Sequence, residues 1–301
     1  MLDRESTFAQ PEIVKLLKTQ FVPVAIDQAY QRRQKDTEGE FYRKIAGQSP
    51  RSDFNGTTQG FYVATANGKL LLYNNNRDPE KVLRLMKKSL AEFNADSELA
   101  KADPVQSKKI DPRYHLTLPA GGLAIRVHAK VMGGYEPTDD RWQRIFQTAV
   151  SRDNLWISPA EHKSIVRGKF PDTLLTRIAR FHLVDNTRGE PTMWREAEIR
   201  KAEIVLKDGK LTGHVELKTD DGARGFNTEL KGHLVIDVGK ITRFDMVAYG
   251  QHWGAGRYTR NPPPGKFPLA ITFTLADGTD IADKIPPQGS RGWLRGYMNV
   301  P

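Results

Sequence analysis

The stretch ITRFDMVAYGQHWGAGRY, residues 241–258, decides how the larger part of this chain folds. Phe244, Met246 and Ala248 recur at every second position, which in a strand places them on one face. After Tyr249 the alternation gives way to a glycine-rich loop carrying Gln251, His252 and Trp253. Upstream, KDGK at 207–210, TDDG at 219–222 and DVGK at 237–240 separate strand-like runs at 196–206, 211–218 and 226–238. Positive φ is inexpensive for Gly and tolerable for Asn or Asp, so these sequences mark hairpin turns. The stretch therefore closes an up-and-down antiparallel meander, to which further strands are expected at 178–184 and 267–275.

Working outward, residues 122–132 alternate cleanly. Leu123, Ile125, Val127, Ala129 and Val131 share one face, and Arg126, His128 and Lys130 the other, as in a half-buried strand. Between this strand and the meander, residues 138–170 carry Trp142, Ile145, Phe146 and Val150 at helical spacing, then SPAEHKSIVRG with Ser158 as an N-cap and Pro159 at the first helical position. A small helical layer is expected there, available to cover one face of the sheet.

The N-terminal third reads differently. Residues 11–18, PEIVKLLK, predict a short amphipathic helix opening at Pro11, and residues 21–26, FVPVAI, a nearly continuous apolar strand covered on both faces. Residues 30–45 read as a polar helix with a weak inward stripe. Asn67-Gly68 between apolar runs signals a hairpin over 60–73, and Asp78 and Pro79 open a helix with Val82, Met86, Leu90 and Phe93 on one side. That helix is expected to pack on the hairpin. Charged residues and Pro104 over 94–112 suggest a linker, giving domains at 1–93 and 113–301.

At 301 residues the chain is long enough for two cores. Its net charge of +10 is spread among interleaved Asp and Glu, so a nucleic-acid partner is not indicated. No apolar run is long enough for a transmembrane helix, and MLDRESTF lacks the basic and apolar regions of a secretory signal. Cysteine is absent, which removes disulfides, thiolate metal sites and a cysteine nucleophile together. Neither a protein nor a small-molecule partner is identified by these features.

The order helix, strand, helix, hairpin, helix over residues 1–93, with LDRESTFAQPEIVKLL followed by FVPVAID, resembles the thioredoxin fold with its beginning removed. The resemblance implies oxidoreductase ancestry. In that family a first strand and a Cys-x-x-Cys turn lead into the first of these helices. This sequence departs from the pattern in lacking the dithiol, and in having Thr57, Thr58, Gln59 and Gly60 where the family usually has a cis-proline. Two accounts follow: a redox-dead relative used for binding, or a gene start placed too late, as when a selenocysteine codon is read as a stop. The expected class is thus α+β, a truncated thioredoxin-like α/β domain followed by a mainly antiparallel β-meander domain with a small helical layer. Its expected role is binding through the β-rich domain, since thiol–disulfide exchange needs a thiolate or selenolate.

Two sequence neighbourhoods concentrate chemistry. RFHLVDNTRGEP, residues 180–191, holds His182, Asp185, Arg188 and Glu190 at an expected strand end; YGQHWGAGR, residues 249–257, holds Gln251, His252, Trp253 and Arg257 at another. Were the two ends to meet, imidazole and carboxylate groups could bind zinc or iron, provided three converged, and a metal-dependent enzyme would be the alternative function. In the plainer reading Asp185, Asn186, Thr187 and Gly189 are turn residues and Trp253 anchors the glycine loop. Arg257, Arg260, Arg291 and Arg295, with Tyr258, Trp293 and Tyr297, suit an acidic partner through guanidinium pairing, or pack a C-terminal tail. No nucleophile elbow, P-loop or dinucleotide fingerprint is present.

Overall fold

The computed structural model describes residues 6–101, 109–290 and 294–299. The chain divides into two compact units, the boundary falling between Leu116 and Thr117. Helices are mixed with antiparallel sheets, an α+β arrangement.

In the first unit, α1 (Pro11–Gln20) opens at Pro11 and buries Ile13. It is followed by α2 (Gln28–Gln31) and α3 (Thr37–Ala46), where one helix was expected over 30–45. The break has a local cause. Asp27 accepts the Ala29 N–H at 2.8 Å and Asp36 accepts the Gly39 N–H at 2.9 Å, so each aspartate starts a helix of its own. The hairpin pairs β1 (Phe61–Ala64) with β2 (Leu70–Asn74). Helix α4 (Pro79–Ala95) is capped by Asp78, which accepts the Lys81 N–H at 2.9 Å. Val82 and Met86 of α4 meet Ile13 in one core, against which Phe8, Leu16, Leu17, Phe21, Phe61 and Leu83 also pack.

The strand expected at 21–26 does not form. Val22 is 90 % exposed and Val24 75 % exposed, and residues 22–26 make no hydrogen bond with any described residue. The apolar run supplies strand propensity, but among the described residues no neighbouring strand accepts its backbone, and Pro23 has no N–H to offer. Of the expected linker 94–112, residues 94 and 95 complete α4, and Ser97–Ala100 makes a 3-10 turn. Asp111 donates its N–H to Asp36 at 2.8 Å, while residues 102–108 lie outside the described part.

The second unit is built on a curled seven-stranded antiparallel sheet. Its meander comprises β5 (Ile199–Lys207), β6 (Lys210–Lys218), β7 (Gly225–Asp237), β8 (Lys240–Trp253) and β9 (Lys266–Leu275). Two earlier strands, β3 (Leu123–Val131) and β4 (Asp153–Ile157), extend the sheet beyond β9. One face is buried throughout: Ile125, Val127 and Ala129 on β3, Phe267, Leu269, Ile271 and Phe273 on β9, Phe244, Met246 and Ala248 on β8, and Phe226 and Leu230 on β7. Each of these phenylalanines contributes on the order of 1.5–3 kcal/mol through burial. The faces assigned by alternation to residues 122–132 and 241–249 agree with this pattern.

Helix α5 (Arg141–Thr148) buries no residue; buried residues of the helical layer come from α6 (Pro159–Val166), α7 (Asp172–Arg177) and the π-helical turn Ile178–His182, among them Ile165, Leu174, Leu175 and Ile178. A short helix, α8 (Leu294–Met298), lies near the C-terminus. Three expectations are corrected by this unit. Residues 178–184 are not a strand: Leu174, Ile178 and His182 are buried at a spacing of four, so the helical period governs the run. The helical layer at 138–170 is interrupted by β4, whose five residues pair with β3. Finally, Gln251, His252 and Trp253 are not in the loop. Strand β8 runs through them, paired with Pro268, Phe267 and Lys266 of β9, and the chain turns only at Gly254.

Candidate functional site

The segment leaving the π-helical turn is the most unusual stretch of irregular backbone in the second unit, because residues 182–188 are all buried. Buried loops must satisfy their own polar groups. Asp185 Oδ1 accepts the Thr187 N–H at 3.0 Å and the Thr187 hydroxyl at 2.7 Å, closing an Asx turn. Asp185 Oδ2 lies 2.6 Å from the Arg188 guanidinium in an ion pair whose side chains are 1 % and 2 % exposed. Arg188 then reaches across to the chain beyond β8. Its Nε–H donates to Arg260 O at 3.0 Å, another N–H to Thr259 O at 3.2 Å, and a third to the Tyr135 hydroxyl at 3.2 Å. Gly189 permits the approach, since a Cβ there would sit 2.2 Å from Tyr258 O.

The first neighbourhood is therefore joined to the chain just past the second, and the joining residue is Arg188, held by Asp185. His252, at the end of β8, is 3 % exposed and lies between the rings of Phe226 and Phe267, with centroids at 5.6 and 5.2 Å. Its Nδ1 has no hydrogen-bond partner among the described residues. Burial pushes its pKa down to about 4, against the pull of Asp185 and assisted by Arg188 and Arg224. His252 is consequently neutral near pH 7.

His182 belongs to a separate buried network. Its Nε2 is 2.7 Å from the Tyr297 hydroxyl, and Nδ1 is 3.2 Å from Asp153 Oδ2, an ion-pair distance without hydrogen-bond alignment. Tyr297 is fixed by Arg177, which is fully buried and donates to Tyr297 O, Met298 O, Trp156 O and both oxygens of Glu161. Burial pushes the Glu161 carboxyl up, and the Arg177 hydrogen bonds more than reverse this, holding it below its usual range. Burial drives the Tyr297 phenol well above its usual value. The network ties α8 to β4 and α6, which accounts for Tyr297 as a tail-packing residue.

The other expected residues are not partners of Arg188. Trp253 donates its indole N–H to Gly222 O at 3.0 Å, and the Lys266 ammonium lies 5.0 Å from its ring centroid. Gly225 leaves room for that ring, which would otherwise stand 2.0 Å from a Cβ. Arg257 and Tyr258 are exposed, the guanidinium 5.2 Å from the Tyr258 ring centroid. Gln251 and Glu190 are exposed. Sequence reasoning overlooked Arg224, whose guanidinium stacks 3.8 Å above Trp194 and donates to Thr192 O, as well as Asp153, Tyr135 and Arg177. Only Arg177 left a signal, as a charge inside the apolar helical run 174–182.

Among the described residues no three His, Asp or Glu side chains converge as a metal site, so the zinc or iron reading of His182 and His252 has no ligand set to rest on. What the geometry does provide is an exposed run of basic and aromatic side chains on the connection from β8 to β9, Arg257, Tyr258 and Arg260, with the exposed Lys266 opening β9. Comparison of the chain with protein-family profiles, curated proteins and solved structures gives no match.

Proposed function

We propose that this cysteine-free chain is a thioredoxin-like protein that acts by binding, without thiol–disulfide exchange. The observation that carries the binding part of the reading is the state of residues 21–26, which moves the expected binding surface from the β-rich unit to the first unit; the thioredoxin-like part rests on the remaining order of helices and hairpin, because the strand expected at 21–26 does not form. Phe21 and Phe61 pack on the same core, yet among the described residues the segment that follows Phe21 stays exposed and unpaired, and β1 pairs only with β2. Such an arrangement suits a sheet short of one strand, and an extended polypeptide added there would satisfy the idle N–H and C=O groups and cover Val22, Val24 and Ile26. Panning a random peptide library tests this. The chain should select extended peptides with alternating apolar residues, and a Val22→Thr/Val24→Thr/Ile26→Thr variant should lose them. Selected peptides that bind both proteins equally would remove the basis of the reading.

A second reading, an interaction module for an acidic partner, is favoured by the clamp on the β8–β9 connection. Arg188 fixes the backbone at Thr259 and Arg260, so the exposed Arg257 and Arg260 are presented with little ordering cost left to meet on binding. An acidic peptide should bind in a salt-sensitive way and should lose affinity in Arg257→Ala. Affinity indifferent to salt would count against it.

A further inference from the structure

The two-residue turns at the far end of the meander differ in a way that hairpin geometry does not require. At β5–β6 the turn residues are Asp208 and Gly209, with φ of +50° and +72°. At β7–β8 they are Val238 and Gly239, with φ of +45° and +71°. Both are left-handed at both positions, a geometry for which Asn, Asp or Gly is the ordinary first residue. Asp208 conforms. Val238 is β-branched, strained there, and 92 % exposed. It gains nothing for the fold from either its conformation or its packing, and backbone strain of this kind concentrates at functional positions.

The surroundings of Val238 share one character. Val235 and Ile236, preceding it on the same hairpin, are 38 % and 39 % exposed. A set of cations surrounds this tip. Gly239 borders a shallow cavity of about 120 Å³ whose other walls are His162, Lys163 and Val166 of α6 and Arg167 just beyond its end. Lys240 closes the tip opposite Asp237, and the neighbouring turn brings Lys207 and Lys210 alongside, held there by the Leu234 N–H donating to Gly209 O at 2.7 Å. Lys163, Arg167, Lys207, Lys210 and Lys240 are exposed and form no ion pair among the described residues, and the carboxylates of the two turns are Asp208 and Asp237.

We propose that this tip docks on an anionic bilayer surface. Val238 would enter the boundary between headgroups and acyl chains, with Val235 and Ile236 at headgroup depth, and the five cations around them would meet lipid phosphates, with the cavity walled by Lys163 and Arg167 as a seat for one headgroup. The layering selects this occupant. Val238 stands foremost at a turn that reaches past Lys207 and Lys210, which lie level with His233 and Leu234, and Lys240 flanks it, so an apolar side chain ringed by cations is presented first, as the boundary of an anionic bilayer would receive it. A nucleic acid would be met by cations and stacking aromatics first, and no aromatic residue stands at this tip.

The test is co-sedimentation of the full chain with vesicles of phosphatidylcholine alone and of an equimolar mixture with phosphatidylglycerol. Binding is expected only to the mixture and should fall with added salt. The Lys163→Ala/Arg167→Ala variant should bind about 25-fold more weakly, at roughly fivefold per cation near the surface. Val238→Asn supplies the control for folding. Asn is a favoured residue at this turn position, so its melting temperature should rise while vesicle binding falls. Failure of the unaltered chain to sediment with the mixed vesicles, equal sedimentation with pure phosphatidylcholine, or unchanged binding by Val238→Asn would overturn the proposal. So would retention by polyglutamate without retention by vesicles, which would assign the surface to an acidic protein.

Discussion

His252 makes the second unit acid-sensitive, and the size of the effect follows from its surroundings. In the unfolded chain the imidazole takes a proton near its ordinary 6.5, whereas in the folded protein burial between Phe226 and Phe267 delays this to about 4. The unfolded state thus binds more protons throughout that interval, so stability rises with pH across it. Above about 6.5 the contribution is fully present; as pH falls towards 4 it is lost, and the loss amounts to about 3 kcal/mol. All five tryptophans, Trp142, Trp156, Trp194, Trp253 and Trp293, follow Thr117 in the sequence, so their fluorescence during urea unfolding reports on this unit. In His252→Phe the aromatic stack is kept and the titrating group removed. Near pH 7 the variant should match the unaltered chain to within about 1.5 kcal/mol, as shape-conserving core changes do. Between pH 6.5 and 4 the two curves should diverge, the histidine protein falling faster. Parallel curves would refute the argument.

Three further outcomes are expected. Arg177→Met leaves Glu161 buried without its partner and should cost about 3–5 kcal/mol in the same urea assay, part of which Glu161→Gln in the same chain should restore. Gly189→Ala forces a methyl against Tyr258 O, where a Cβ would lie at 2.2 Å, and should cost about 1–3 kcal/mol while weakening acidic-peptide binding at Arg257; unchanged stability would show that the segment yields freely. In the first unit, Asp78→Ala removes the cap of α4 and should lower stability by about 1 kcal/mol, measured as the loss of helical circular dichroism on heating.

Much of the second unit was legible because its signals are local. Alternation placed Phe244, Met246 and Ala248 inward, and Asp208-Gly209 marked its hairpin, without reference to anything distant. The site was less legible. His182 and His252 invited pairing because each stood near a candidate strand end, yet a helical period turned His182 towards Asp153 and Tyr297, more than a hundred residues away in the case of Tyr297. Strand β4 escaped notice because five residues are too few to show a period, and its pairing with β3 is what defines it.

The sequence by itself determined the antiparallel meander, the positions of its turns, the capped helix α4 and the lack of any thiol. These follow from the two backbone periods, the φ preferences of Gly and Asp, and composition. Only the tertiary structure decided that residues 21–26 go unpaired, because a strand exists by virtue of a neighbour. Only it decided, too, that Arg188 and not a histidine joins the first segment to the chain just past the second, because a buried guanidinium finds its carbonyls through space, at Thr259, 71 positions further along the chain.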